Sequence, residues 1–152
     1  MDVKTAIRPI VVLLIEDNPG DVRLVAEALR ESKLQIALYT VTDGVAAMDF
    51  LHQVGAYTAA PRPDLICLDL HLPRKDGRQV LQEVKSDPLL AHIPVAILTT
   101  SDTDEDIEQI FQHHANCYIR KPLNIENFID VVQSINHFWF AVVTTPSDSE
   151  TA

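Results

Sequence analysis

Cysteine is scarce in this 152-residue sequence: there are two, Cys67 and Cys117. Both lie inside apolar runs, which reads as a pair of buried reduced thiols and not as a disulfide or a zinc site. No Cys-x-x-Cys or His-Glu-x-x-His spacing occurs, so the common metal and redox signatures are missing. There is no Gly-x-x-x-x-Gly-Lys either, which removes P-loop chemistry. No segment approaches the roughly 20 apolar residues needed to span a bilayer. The first nine residues, MDVKTAIRP, lack an apolar stretch of signal-peptide length. The expected location is therefore cytoplasmic, with no membrane partner. Positive charge is also in deficit, with 12 Lys and Arg against 22 Asp and Glu and a formal charge of −10. Such a field repels nucleic-acid phosphates and suits a basic partner or a metal cation.

What is present is ordinary globular composition, 47% hydrophobic and 22% charged, in a length that fits one compact domain. Five short β-rich apolar runs punctuate the chain: Ile10–Ile15, Gln35–Thr40, Leu65–Asp69, Val95–Thr99 and Asn116–Ile119. Between them the apolar spacing becomes helical. The predicted helices are Gly20–Ser32, Val45–Gln53, Gly77–Ser86, about Thr103–His114 and about Ile125–Phe140. In the first, Val22, Val25, Ala26 and Leu29 share a face; in the third, Val80, Leu81 and Val84 point inward. Strands alternating with helices indicate βαβ units and a parallel sheet, and near-continuous apolar strands indicate cover on both faces. The predicted class is α/β, a flavodoxin-like (βα)5 doubly wound sandwich with a five-stranded parallel sheet in order 2-1-3-4-5. Ligands of that plan sit beyond the carboxyl ends of the strands.

Under this topology one sheet edge collects Glu16 and Asp17, Asp69, Thr99 and Lys121, each at or just after a strand end. Carboxylates drawn together repel, and a hard divalent cation such as Mg²⁺ relieves the repulsion with oxygen ligands. A phosphoryl oxygen can join that coordination while an aspartate attacks phosphorus to give an acyl phosphate. A lysine and a hydroxyl nearby would bind the remaining oxygens. Each residue has an ordinary role available as well. Glu16 and Asp17 could cap the helix that opens at Pro19, and Asp69 could start a turn. Thr99 could be a plain strand threonine, and Lys121 a surface lysine. The combination in this order favours the chemical reading.

The pieces Val11-Val12-Leu13-Leu14-Ile15-Glu16-Asp17-Asn18, Pro63-Asp64-Leu65-Ile66-Cys67-Leu68-Asp69-Leu70-His71-Leu72-Pro73, Asp76-Gly77, Ile93-Pro94-Val95-Ala96-Ile97-Leu98-Thr99 and Tyr118-Ile119-Arg120-Lys121-Pro122 resemble the response-regulator receiver family of two-component signalling. The resemblance covers about residues 9–137. It divides the chain into an N-terminal arm 1–8, a receiver domain 9–140 and a C-terminal tail 141–152. It implies that Asp69 is the phosphoacceptor, that Asp17 ligates Mg²⁺ directly, and that Glu16 acts largely through water. The backbone carbonyl of His71 would be a further ligand. Thr99 and Lys121 would hold the phosphoryl group, Tyr118 would be the aromatic switch residue, and the Lys121–Pro122 bond would be cis. The family's donor is a histidine kinase. A narrower resemblance rests on Glu16-Asp17-Asn18-Pro19-Gly20-Asp21-Val22-Arg23-Leu24, Leu98-Thr99-Thr100-Ser101 and Phe138-Trp139. These pieces are similar to the single-domain regulators paired with bacterial phytochrome kinases. The acidic pair here is Glu-Asp where Asp-Asp is commonest.

With no output domain expected, the signal would leave through the face made by the fourth helix, fifth strand and fifth helix. The last helix carries two apolar stripes. One contains Ile125, Phe128, Ile129, Val132, Ile135 and Trp139, and a second contains Val131, Ile135, Phe138 and Val142. The surface named for a homodimer contact is Val131, Phe138 and Val142; additional core is the alternative. Three rivals to the switch fit the sequence less well. An aspartyl-phosphate hydrolase of the haloacid-dehalogenase kind needs a second Asp where His71 stands. A flavodoxin needs a Gly- and hydroxyl-rich first loop. The third is a receiver-shaped interaction module that is never phosphorylated.

Overall fold

The computed structural model describes residues 8–31, 35–99, 115, 117–121, 126 and 128–132, with the backbone alone at Thr99, Cys117 and Arg120. Five strands, β1 (Ile10–Ile15), β2 (Ile36–Val41), β3 (Leu65–Asp69), β4 (Val95–Thr99) and β5 (Cys117–Arg120), form one sheet. Its order is β2-β1-β3-β4-β5 and every pairing is parallel, as the alternation of strands and helices predicts. Among the described residues three helices lie between strands: α1 (Pro19–Glu31), α2 (Gly44–His52) and α3 (Gly77–Ser86).

Strands β1, β3 and β4 are buried on both faces because residues of opposite parity feed separate cores, whereas the edge strand β2 is only partly covered. Leu13, Ile15, Ile66, Leu68 and Ile97 pack with Phe50 and Leu51 of α2 and with Val80, Leu81 and Val84 of α3. Val12, Leu14, Leu65, Cys67 and Leu98 pack with Val25 and Leu29 of α1 and with Phe128 and Val132 of the last helix. Cys67 is fully buried, as its apolar surroundings suggest. Among the described residues no helix is long and apolar enough to cross a membrane.

Several boundaries move by one residue from their predicted places. β2 and β5 each run one residue further along the chain than predicted: Val41 still pairs with Ile15, and Arg120 with Thr99. At Arg120 a polar side chain does not interrupt a ladder made of backbone groups. α2 starts at Gly44, after the Asp43 carboxylate accepts from the Ala46 N–H, and ends before Gln53, whose φ of 58° is left-handed. α1 buries Val25, Ala28 and Leu29, while Val22 and Ala26 are half-buried. A short 3-10 turn at Gly55–Tyr57 has no counterpart in the predicted elements. The helix predicted over about Thr103–His114 lies outside the described residues, as do Phe138 and Val142. Val131 is half-buried against the second core, beside Ile129.

Two glycines set how closely the β3–α3 loop approaches its neighbours. A Cβ on Gly77 would collide with the Asp69 carbonyl and stand 2.6 Å from Leu70 Cα. A Cβ on Gly44 would collide with the Lys75 carbonyl and stand 2.6 Å from Lys75 Cβ. The segment that follows Asp69 is thus seated between the first turns of α2 and α3. A capping box at Asp76 and Gln79 fixes the second of these.

Candidate functional site

The chain leaves β1 toward β2 on one side of the sheet and returns to β3 on the other. Beyond the carboxyl ends of β1 and β3 lies the topological switch point, where open α/β sheets place ligands. Glu16 and Asp17 directly follow β1, Asp69 ends β3, Thr99 ends β4 and Lys121 follows β5. Parallel pairing in register therefore brings residues more than a hundred positions apart to one edge.

Local chemistry then aims the side chains. Asn18 caps α1 by accepting from the Asp21 N–H at 3.1 Å, with Pro19 in the first helical position, where its missing N–H costs nothing. This turn bends Glu16 back into the molecule, where its Oε2 accepts from the Asn18 N–H at 3.1 Å. Asp17 instead faces outward and is exposed. Asp69 Oδ1 accepts from the His71 N–H at 3.0 Å, which sets the rotation of its carboxylate.

Glu16, Asp17 and Asp69 each offer one carboxylate oxygen, and these oxygens lie within 4.8 Å of one another. Lys121 reaches into the cluster. Its Nζ is 2.5 Å from Glu16 Oε1, 2.9 Å from Asp21 Oδ2 and 3.3 Å from Asp69 Oδ2. Sequence reasoning placed Glu16, Asp17, Asp69 and Lys121 together, and the structure brings all four to one site. It missed a role for Asp21. The available signal was an acidic residue one helical turn past Asp17, in the first turn of a helix that opens at the site. Thr99 is placed by its backbone beside Arg120, but its side chain lies outside the described residues, as does Pro122. Tyr118 is half-buried against the first core, and the His71 imidazole is exposed.

The cluster is short of positive charge. Glu16 is fully buried, and its carboxyl is raised to about 7, first by burial and then by the neighbouring Asp69 carboxylate; Lys121 and the Asn18 N–H only partly oppose this. For Lys121, burial works against the charge, yet the carboxylates of Glu16 and Asp21 and the charge of Asp69 outweigh it and raise the ammonium above its ordinary value. Glu16 Oε1 touches Lys121 off the hydrogen-bonding direction and has no hydrogen-bond partner of its own. A buried carboxylate oxygen without a donor is costly. An all-oxygen acidic set with such an orphan fits a hard divalent cation and its waters.

Comparison with known proteins agrees with this geometry. The profile of the response regulator receiver domain matches residues 12–133. Response regulator Rcp1 of Synechocystis sp. is 48% identical over 139 residues, covering 91% of this chain and 95% of that protein. Its crystal structure in the Mn²⁺-bound form superposes with a TM-score of 0.75, covering 86% of this chain and 94% of the other. The phosphorylated cyanobacterial phytochrome response regulator RcpA, 47% identical, superposes with a TM-score of 0.76 and covers 89% and 96% of the two chains. With the fold, the acidic edge and these likenesses in agreement, the chain belongs to the response regulator receiver domain family.

Proposed function

We propose that this protein is a phosphoacceptor switch. It takes a phosphoryl group from a histidine kinase onto Asp69 in a Mg²⁺-dependent reaction, in a phytochrome pathway. The observation that carries this reading is the environment of Asp69. One oxygen is fixed by the His71 N–H, the other faces Lys121 at 3.3 Å, and two further carboxyls stand within 4.8 Å. In the transfer, a bond forms between an Asp69 oxygen and phosphorus as the phosphorus–nitrogen bond of the donor histidine breaks. The electron pair of that bond returns to the imidazole. Lys121 balances charge on the phosphoryl oxygens. Asp17, Asp69 and the His71 carbonyl would hold Mg²⁺, with Glu16 acting through water. Bound there, the ion would supply Lewis-acid withdrawal of charge from the phosphoryl oxygens. The phytochrome assignment is supported by the likeness to RcpA and Rcp1.

The switch would act through Thr99 and Tyr118, with the fourth helix, β5 and the fifth helix as the output face. The added charge of the phosphoryl group biases a pre-existing equilibrium. A test is incubation with a small phosphodonor with and without Mg²⁺, followed by intact mass. One phosphate adduct that requires the metal and disappears in Asp69→Asn is expected. An adduct that survives Asp69→Asn would refute the acceptor assignment, and no adduct at all would favour an unphosphorylated interaction module. Transfer from a panel of histidine kinases that spares every phytochrome kinase would overturn the pathway. Sedimentation of Phe138→Glu tests the homodimer proposed through Val131, Phe138 and Val142: a monomeric wild type would reject it.

A further inference from the structure

Lys121 is shared unequally. Its ammonium is closer to Glu16, at 2.5 Å, and to Asp21, at 2.9 Å, than to Asp69, at 3.3 Å. Glu16 directly follows β1 and cannot be avoided by a lysine at this edge. Asp21 is different. It sits in the first turn of α1, its backbone N–H is taken by Asn18, and its carboxylate turns inward to the same ammonium. The Asp21 side chain is 23% exposed and that of Lys121 11%, so the pair is partly screened yet substantially withdrawn from water. A lysine meant to grip a group on Asp69 is therefore drawn toward α1 by a carboxylate outside the acidic triad.

We propose that Asp21 is a positioning residue that retains the Lys121 ammonium on the α1 side of the site and so competes for it with a phosphoryl group on Asp69. The idea rests on the acceptor role proposed for Asp69. Asp21 raises the cost of the phosphoryl-bound arrangement, because Lys121 must give up one ion pair to strengthen another. Removing the competitor biases the same equilibrium the other way. Asp21 also carries charge favourable to a helix N-terminus, which accounts for its stability role but not for any effect that depends on Lys121.

The test uses the full chain with Mg²⁺ and the beryllium trifluoride anion, a non-transferable stand-in for the phosphoryl group, titrated by calorimetry. Asp21→Asn is expected to bind it about fivefold more tightly than wild type, the upper end for a partly exposed ion pair. Repeating the comparison in a Lys121→Ala background separates the explanations. If Asp21 acts through Lys121, the gain disappears there; a gain of equal size in both backgrounds is a simple field effect and overturns the proposal. Equal affinity of Asp21→Asn and wild type also overturns it. Asp21→Glu, which keeps the charge, is expected to remain near wild type. A wild type that acquires no Asp69-dependent adduct from a phosphodonor would instead defeat the acceptor reading itself, so the two failures are distinguishable.

Discussion

Gly77→Ala probes how tightly the backbone around Asp69 is held. Gly77 opens α3, and its N–H donates to the Leu70 carbonyl at 3.0 Å. If only helix propensity mattered, alanine would stabilise the protein by up to ~1 kcal/mol. The packing predicts the opposite sign. The new methyl would collide with the Asp69 carbonyl and lie 2.6 Å from Leu70 Cα and 2.9 Å from Leu70 C. Ordinary carbon–carbon contact is ~3.5–4.0 Å, so about 1 Å of separation has to be found. All three neighbours are backbone atoms, and no side-chain rotation relieves them. Either α3 lifts from β3 or the Asp69–Leu70 peptide moves. Overpacking of this kind costs ~1–3 kcal/mol, and rigid neighbours place this site toward the upper end. After subtracting the propensity gain, a net loss of about 2 kcal/mol is expected, or roughly 4–8 °C in Tm for a chain this size. Urea and thermal unfolding measure it, and divalent-cation affinity should fall in parallel because the displaced peptide carries Asp69. An unchanged or raised Tm with wild-type metal affinity would refute the close approach.

Further outcomes follow from the charges. In metal-free protein, Glu16 holds its proton up to about pH 7 in the fold against 4.5 as the ordinary value, so its contribution is present below the unfolded value and is lost as pH rises through 7. Glu16→Gln should therefore gain stability relative to wild type between pH 5 and pH 8, by up to ~3 kcal/mol in urea unfolding; a pH-independent difference would count against it. Mg²⁺ at a hundredfold excess over its Kd should stabilise wild type by ~2.7 kcal/mol, and Asp17→Asn should lose most of that shift in a thermal melt. At the far end of the sheet, Asp64 accepts from both Arg8 guanidinium nitrogens and from the Val11 N–H. Arg8→Ala should cost no more than ~1 kcal/mol because that pair is partly exposed, whereas Asp64→Ala, which also strips the acceptor from Val11, should cost ~2 kcal/mol; equal costs would argue against the backbone role.

The sheet was readable because its strands are apolar almost throughout, and periodicity reports burial on both faces. Strand ends were less readable. Arg120 joins the ladder through backbone groups, which its side chain does not advertise. The acidic edge was legible for a related reason: once strand order is known, Glu16, Asp17, Asp69 and Lys121 have nowhere else to go. What the pattern could not carry is direction. Glu16 and Asp17 are neighbours, yet one is buried and the other exposed, and that division comes from the Asn18–Pro19 turn. Asp21 was hidden because a carboxylate in a first helical turn already has a sufficient local explanation. The requirement at Gly44 is likewise silent in sequence, since it arises from the approach of a distant loop.

The charge balance at the edge explains why metal and phosphoryl group should be linked. Among the described residues, Glu16, Asp17, Asp21 and Asp69 gather around the one ammonium of Lys121, a formal excess of three negative charges if all are ionised. The fold tolerates this by protonating Glu16 near neutral pH and by tightening Lys121's hold on its proton. A phosphoryl group on Asp69 would add about one further negative charge over the carboxylate it replaces. At pH 7 Glu16 is already partly protonated, so further protonation absorbs only part of it. A divalent cation can absorb all of it, since it cancels two charges at the place where the new one appears. The proposed transfer should therefore be far more sensitive to chelation than the fold is, and the site that destabilises the metal-free protein is the one that makes the cation necessary.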